Sequence, residues 1–576
     1  MPNKLSQFWQ ELKRRRVIHV IIVYATAAFV IIELVDNVYE SLRLPDWTPT
    51  LVILLLVIAF PFAIIFSWIY DITLKGIRKT EPIKLADKKG KDVSESDNTS
   101  RFENSIAVLP FQDMSPEKNQ EYFCDGIAEE IINALTHVES LKVIARTSAF
   151  AFKDKQVDMR KIGQKLDVQM LLEGSIRKDG DQLRITAQLI KVDDGSHLWS
   201  EAYNRKLQDV FAIQEEISLT IVDNLKIKLL GEEKTAIVMR HTENLEAFNL
   251  YLKGNHYCHA ATASGFEKAI ECFEQALQKD AHYALPYIGL AEVYWLSTFF
   301  GNMRPNDAYP KLEKYVNKAL EISNTLAEAH SVMGLINTYY YWNWKKAELS
   351  FKQAIQLNPN SAYIHIYYSF LLSCIGRHKE AIKEAKRAQE LDPLSTYISS
   401  YVGSAYYYDS QFDRAIEECQ MVISIDPNYY IAHEYLSLAY TEKAMINESL
   451  GEHEKAVEEF EKAIEEMEKA VDLSNGVPFM VSCLACTYII IGKKDQAEKL
   501  IDNLKKRSRT EYIQPICFYI FHIARGEQNL ALEWLERACR EHDTFLPWFR
   551  FLPNDVTLIP DEPRYHALLK KFGIEE

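Results

Sequence analysis

The sequence predicts an α+β chain, predominantly α: two transmembrane helices, a small mixed α/β domain, then a solenoid of paired α-helices. Three observations carry that reading. Two apolar runs near the start are each about as long as the ~20 residues that cross a bilayer core. Residues 105–235 switch between strand and helix periodicity. From 246 onward, small residues and prolines recur at a step of 34. Composition is compatible with this plan, since 576 residues at 48% hydrophobic and 26% charged are ordinary for a globular protein of several folding units. A formal charge of −15 argues against a general nucleic-acid binder, which needs clustered Lys and Arg on its docking face. Nine cysteines without framework spacing predict reduced thiols and no disulfides.

The first run, 17–35, is "VIHVIIVYATAAFVIIELV", and the second, 50–70, is "TLVILLLVIAFPFAIIFSWIY". A cleaved signal peptide has a shorter apolar core, and a second full-length run directly afterwards predicts a retained hairpin over 17–70. Glu33 and Asp36 are costly at mid-bilayer and belong at the far interface. Lys13, Arg14, Arg15 and Arg16 precede the hairpin, and Lys75, Arg78, Lys79, Lys84, Lys88, Lys89 and Lys91 follow it, whereas the connection between the runs has only Arg43. The positive-inside rule then places both ends in the cytoplasm, with residues 1–16 a basic N-terminus in a bacterial inner membrane protein. Pro61 is expected to kink the second span, and the carbonyl it frees makes a helix pair or homo-oligomer plausible. Residues 71–104 read as a basic polar linker, its later part a flexible tether.

The α/β unit opens with the buried strand "IAVLPF". A helix follows whose apolar stripe is Ile127, Ile131, Leu135 and Val138, then a strand "LKVIAR" and a short helix "MRKIGQKL". Three strands come next: "MLLEGSIRK" and "QLRITAQLIKV" joined at Asp179 and Gly180, then "HLWSEAYNR". A closing helix sets Ile213, Ile217, Ile221 and Leu225 at spacings of four. No catalytic residues are assigned. The loop 112–125 has no glycine to bring backbone N–H groups onto a phosphate. Asp113, Glu117, Asp125, Glu129 and Glu130 are read as acids favoured near a helix N-terminus and on a solvated face. Ser148, Ser175 and Ser196 lie in no nucleophile elbow.

The stretches "SIAVLPFQDMSPEKNQEYFCDGIAEEIINALTHVESLKVIAR" and "LLEGSIRKDGDQLRITAQLIKVDDGSHLWSEAYNR" resemble the TolB-like, FlgO-like N-terminal domain of many bacterial regulatory proteins. The segments "ELKRRRVIHVIIVYATAAFVIIELVDNVYESLRLPDW" and "WIYDITLKGI" resemble the membrane pair that precedes this domain in the same group. Some members carry a class III adenylate cyclase or a winged-helix DNA-binding domain in front. The first span begins here at residue 17, leaving space for neither, so the resemblance implies a regulator without that catalytic or DNA-reading output.

In the array (246–545), Ala347, Ala381 and Ala415 are 34 apart, as are Pro359, Pro393 and Pro427. This is the tetratricopeptide period, with packing triplets such as Ala347/Phe351/Ala354, Ala381/Ala385/Ala388, Ala497/Ile501/Leu504 and Ala531/Leu535/Ala538. About eight repeats fit. The steps Ala415–Ala456 and Ala456–Ala497 are each 41, an insertion of seven that keeps the apolar face in register. One insertion is expected in the connection near "TEKAMINESLGEHE" and the other in the following helix, which is either solvated or reaches a neighbour. Residues 546–576 resemble the ending of this protein group and are expected to cap the solenoid.

Each repeat buries its face on its neighbours and leaves a concave groove lined by first helices. The period puts Tyr363, Phe370, Tyr397, Tyr407 and Tyr408 on that groove as peptide-docking candidates, the alternative being that several pack between repeats. Ile366, Phe370, Ser400 and Ser404 stand where receptors of C-terminal carboxylates need Lys and Asn. Cys483 and Cys486 sit in an apolar helix with no second pair, and His256, Cys258 and His259 offer one helix face only two ligands, so neither metal nor cofactor is expected. The function expected is a non-enzymatic, membrane-embedded scaffold binding protein or peptide partners in signalling or complex assembly. The alternative is a ligand-sensing transducer whose TolB-like domain binds a small molecule or peptide.

Overall fold

The computed structural model describes residues 104–155, 157–259, 262–299, 303–551 and 562–571, with Val52, Leu56, Phe60 and two short strands before them. Met1–Asn98 and Thr99–Glu576 are separate compact units. In the first, β1 (Tyr70–Thr73) pairs antiparallel with β2 (Gly76–Lys79), so the stretch read as a linker begins in paired strands. Most of the two apolar runs, and 80–103, lie outside the described residues. Among the described residues no helix is long and apolar enough to cross a membrane.

The second unit begins with β3 (Asn104–Val108), β4 (Gln112–Asp113), α1 (Glu121–Thr136), β5 (Leu141–Val143), α2 (Arg146–Phe150), α3 (Met159–Leu166), β6 (Met170–Asp179), β7 (Gln182–Lys191), β8 (His197–Lys206) and α4 (Val210–Asn224). The sheet order is β5-β3-β6-β7-β8 with β4 beside β6. β3 runs parallel to β5 and β6, and β6, β7 and β8 are antiparallel. The mixed sheet expected from periodicity is therefore present, and Ile127, Ile131, Leu135 and Val138 are fully buried on it. The hairpin turn falls one residue later than expected: Asp179 still pairs with Gln182, which leaves Gly180 and Asp181 to turn the chain, with Gly180 at φ +60°. Arg146 belongs to a helix rather than to the strand "LKVIAR".

After α5 (Gly231–Ile237), sixteen helices pair in chain order into eight hairpins. These are α6 (Leu245–His259) with α7 (Ala263–Lys279), α8 (Ala284–Phe299) with α9 (Pro305–Ile322), α10 (Ala327–Tyr339) with α11 (Trp344–Leu357), and α12 (Ala362–Cys374) with α13 (His378–Leu391). The later four are α14 (Thr396–Tyr408) with α15 (Phe412–Ile425), α16 (Tyr430–Ser449) with α17 (His453–Leu473), α18 (Pro478–Ile490) with α19 (Lys494–Arg507), and α20 (Pro515–Ala524) with α21 (Gln528–Glu541). The described residues are mostly helical, a tetratricopeptide-like solenoid of helix hairpins with a small mixed sheet.

The small residues of the period are what let paired helices approach. Ala347, Phe351, Ala354, Ala381, Ala385 and Ala388 are fully buried. Gly289 and Gly334 face the rings of Phe273 and Phe351, where an added Cβ would fall 2.6 and 2.8 Å from ring carbons. The seven-residue insertions lengthen both helices of one hairpin, α16 to 20 residues and α17 to 21, against 13 and 14 in α14 and α15. The first insertion is thus helix, not connection, because seven residues add two turns that stay paired with α17. Leu450 and Val457 near the tip remain exposed.

Two sets of contacts join distant parts of this unit. The α/β unit is clamped onto the loops that follow α11 and α13. Asn360 donates from Nδ2 to the carbonyls of Thr136 (3.2 Å) and Val138 (2.8 Å), while its Oδ1 accepts from Arg387 (2.8 Å). Asp392 Oδ1 accepts from the Ser148 N–H (2.9 Å) and hydroxyl, and the Ala145 N–H donates to the Leu391 carbonyl (2.8 Å). The last repeat meets an early one: His542 stacks on Tyr340 (4.2 Å) and Trp342 (4.7 Å), and its Nδ1–H donates to the Tyr340 carbonyl (2.8 Å). A 3₁₀ turn, Leu546–Phe551, then enters the concave side, and α22 (Pro563–Lys571) packs on the final hairpin through buried Tyr565 and an Arg564–Glu536 ion pair (2.8 Å).

Candidate functional site

The inner helices of the hairpins, chiefly α12, α14, α16, α18 and α20, carry the aromatic side chains of the concave face. Their sequences are apolar on nearly every side because one flank packs on the outer helix, another on the neighbouring repeat, and the third lines the concavity. Along this third flank runs a series of tyrosines: Tyr363 to Tyr367 at 5.9 Å, Tyr363 to Tyr397 at 6.2 Å, and Tyr397 to Tyr401 at 4.9 Å. Tyr363 is 42% exposed, and Tyr367, Tyr397 and Tyr401 are half-buried. The surrounding wall still withholds enough water to push the Tyr363 phenol up to about 12, burial being the largest cause.

The five residues expected on the groove divide. Tyr363 and Tyr397 are open to it. Phe370 is 2% exposed because Trp548 of the 3₁₀ turn packs on it edge-to-face at 5.3 Å. Tyr407 and Tyr408 are also buried, yet they line a cavity of about 150 Å³ bordered by α8, α14, α16, α18, α20 and the C-terminal turn. Tyr435, Phe545 and Trp548 add further aromatic walls. Tyr408 lies 5.4 Å from Trp548.

Glu434 opens onto this cavity at 7% exposure. Among the described residues no hydrogen bond or ion pair reaches its carboxylate, and burial pushes its pKa up to about 8. Glu442, also in the lining, accepts a hydrogen bond from the Tyr407 hydroxyl (3.3 Å). The Cys483 and Cys486 thiols face the same space, the second pushed up to about 12 by burial and the first raised well above the ordinary thiol value, also by burial. These sulfurs are protonated at neutral pH, which suits small packing residues rather than nucleophiles. Sequence reasoning passed over Glu434, Tyr435, Phe545 and Trp548. The one signal for Glu434 was an acid inside the otherwise apolar run "YIAHEYLSLAY".

Three acids of the α/β unit, Asp113, Asp125 and Glu129, are held in structural pairings. Asp113 accepts from the backbone N–H groups of Ser115 and Gln120 (both 2.9 Å), pinning the loop before α1. Burial opposes its charge, but these bonds hold Asp113 below its ordinary carboxylate value. Asp125 pairs with Lys153 (2.7 Å) and Glu129 with Arg146 (3.1 Å). Among the described residues no group of three or more His, Cys, Asp or Glu is placed to hold a metal ion.

Residues 102–220 match the family model described as HilA/YgeH-like transcriptional regulator, second domain, and residues 437–475 match a tetratricopeptide repeat model. A Rhizobium meliloti protein described as putative adenylate cyclase 3 is 40% identical over 193 residues, 33% of each chain. The Salmonella typhimurium transcriptional regulator HilA is 23% identical over 284 residues, 49% of each chain. The chain thus spans a third to a half of the length of these curated relatives. Among solved structures, a human IFIT1 dimer with m7Gppp-AAAA is 17% identical, with 59% of this chain and 76% of that one covered at a TM-score of 0.38. YrrB, a TPR protein with an unusual peptide-binding site, is 21% identical, with 35% and 93% covered at a TM-score of 0.24.

Proposed function

We propose that this chain is a membrane-anchored protein–protein interaction scaffold, without catalysis of its own, whose repeats dock a polypeptide partner. The observation that carries the reading is the run of partly open tyrosines, Tyr363, Tyr367, Tyr397 and Tyr401, on consecutive inner helices. Such rings bury much area with few rotamers to freeze, which makes them effective anchors for a bound chain. The apolar runs 17–35 and 50–70 and their basic flanks support anchoring in a bacterial inner membrane with both ends cytoplasmic. Anchoring raises the local concentration of whatever the repeats hold. The α/β unit, which we read as TolB-like, is fixed to the array by Asn360 and Asp392 and so orients the groove. The names of the relatives, a transcriptional regulator and a putative cyclase, support a setting in signalling. The rival reading, a ligand-sensing transducer, draws support from the cavity around Glu434, although that cavity lies in the repeats and not in the α/β unit.

The test is a photo-crosslinking amino acid placed at Tyr363 in the full chain in native membranes, against the same group at Leu349, which is 69% exposed on the outer helix α11. A discrete protein adduct from position 363 and none from 349 is expected. Equal labelling from both positions, or none, refutes docking in the concavity. Anchoring is checked separately by alkaline extraction, which leaves the chain in the membrane pellet if the reading is right.

A further inference from the structure

The cavity behind the tyrosine run has a lining that polypeptide docking does not explain. Eight of its nineteen lining side chains are aromatic, two are carboxylates, and none is Lys, Arg or His. A pocket built for an apolar ligand has no use for a buried carboxylate, which costs stability unless something compensates it. Glu434 receives no hydrogen bond or ion pair from the described residues, while Asp392 at the junction accepts from Ser148. The missing element is a positive charge brought from outside.

The walls specify what kind of cation. A bare ammonium or a metal ion needs several oxygen ligands to replace its hydration; of the oxygens in this lining, Glu442 is engaged by Tyr407, the Thr441 and Thr487 hydroxyls donate to carbonyls of their own helices, and no group among the described residues is placed to hold a metal ion. A methylated ammonium is weakly hydrated and is held by the negative faces of aromatic rings. Its bulk also fits: a cavity of about 150 Å³ in another protein holds one benzene molecule, and a tetrahedral trimethylammonium group is of similar size.

We propose that this cavity binds a small methylated ammonium compound, with its cationic group among the aromatic rings and its charge balanced by Glu434. The inference goes beyond the docking of a polypeptide and does not depend on it. Binding converts a neutral, buried Glu434 to its carboxylate and releases one proton. The other titratable groups facing it are Tyr401, Tyr407 and Tyr408 from α14, Tyr435 and Glu442 from α16, and Cys483 and Cys486 from α18, while Ile520 and Ile523 face it from α20. Burial holds the phenols and thiols protonated through the neutral range, so the expected pH dependence is that of Glu434.

The experiment is calorimetric titration of the full chain in detergent with choline, tetramethylammonium and 3,3-dimethylbutan-1-ol, the neutral carbon isostere of choline. Choline and tetramethylammonium are expected to bind, and the isostere to bind roughly tenfold more weakly or not at all. Choline affinity should rise between pH 6 and pH 8.5, and Glu434→Gln should remove both that rise and the preference for charge. Cys486→Leu, which fills the cavity and leaves Glu434 in place, should abolish binding with the fold intact by circular dichroism. This variant keeps the proposal falsifiable if Glu434→Gln does not fold. Equal affinity for choline and its isostere, absence of binding by either cation, or unchanged binding to Cys486→Leu overturns the proposal. A trimethyllysine peptide that displaces choline at lower concentration also overturns it, in favour of a polypeptide side chain as the occupant.

Discussion

The junction between the α/β unit and the repeats and the cavity deep in the same repeats both bury polar side chains, and they treat them in opposite ways. At the junction Asn360 makes three hydrogen bonds, and one Asp392 oxygen receives both the backbone and the hydroxyl of Ser148. In the cavity Glu434 is also buried, at 7% exposure, and receives no hydrogen bond or ion pair from the described residues. Hydrogen bonding of this kind is what a fixed joint requires, because every bond made at a buried polar group strengthens it. An unsaturated acid is stability given up, and such concessions concentrate where a protein meets something else. The difference separates a surface that is finished on folding from one that is finished on binding.

Four changes break or sharpen that contrast. The largest effect is expected from Phe351→Ala, which empties the slot against Gly334 and removes the repeat packing on which both regions stand. It should cost about 3–5 kcal/mol in urea unfolding. Asn360→Leu strands the Thr136 and Val138 carbonyls and should cost about 2–3 kcal/mol, with proteolysis appearing between the α/β unit and the array. Glu434→Gln should act in the opposite direction, stabilising by about 1–2 kcal/mol at pH 8. The gain should shrink on going down to pH 5. The sign follows from linkage: a carboxyl raised to about 8 in the folded state keeps a proton that the unfolded chain loses near its ordinary value, so stability falls as pH rises between the two. Glu130 and Glu292, raised to about 8 and 7 by burial and then by a neighbouring acid, and Asp543, raised to about 7 by burial, act in the same sense. The melting temperature of the unaltered chain should therefore decline from pH 5 to pH 8. The smallest effect, within about 0.5 kcal/mol, is expected for Leu349→Ser on the exposed outer face, which touches neither region.

The architecture was legible because it is written in local periodicity. The alanines at 347, 381 and 415 are buried where the 34-residue step put them, and the stripe from Ile127 to Val138 lies on the sheet. Position along a helix, however, says only which flank a residue occupies and not what returns to cover it. Phe370 and Tyr408 were rightly put on the inner helices, but Trp548, some 140 to 180 residues later, lies against both rings. The turn at Gly180 and the helical seven-residue insertion were misplaced for a simpler reason, since sequence patterns fix the existence of elements better than their ends. Glu434 was missed because one acid in an apolar helix reads as an exposed position, and only the curvature of the array shows that the space it faces is enclosed.

The stack of His542 between Tyr340 and Trp342, with Asn306 donating to the Arg540 carbonyl at 3.1 Å, joins parts of the array about two hundred residues apart. A row of repeats with loose ends is a spring, lengthened by a small bend at every hairpin. Fastened to itself, it becomes a hoop. Under tension a hoop stays taut until its clasp parts, and only then pays out its length. A load transmitted through this chain would therefore meet stiffness first and compliance afterwards, with the His542 stack and the Asn306 bond among the contacts that set the threshold.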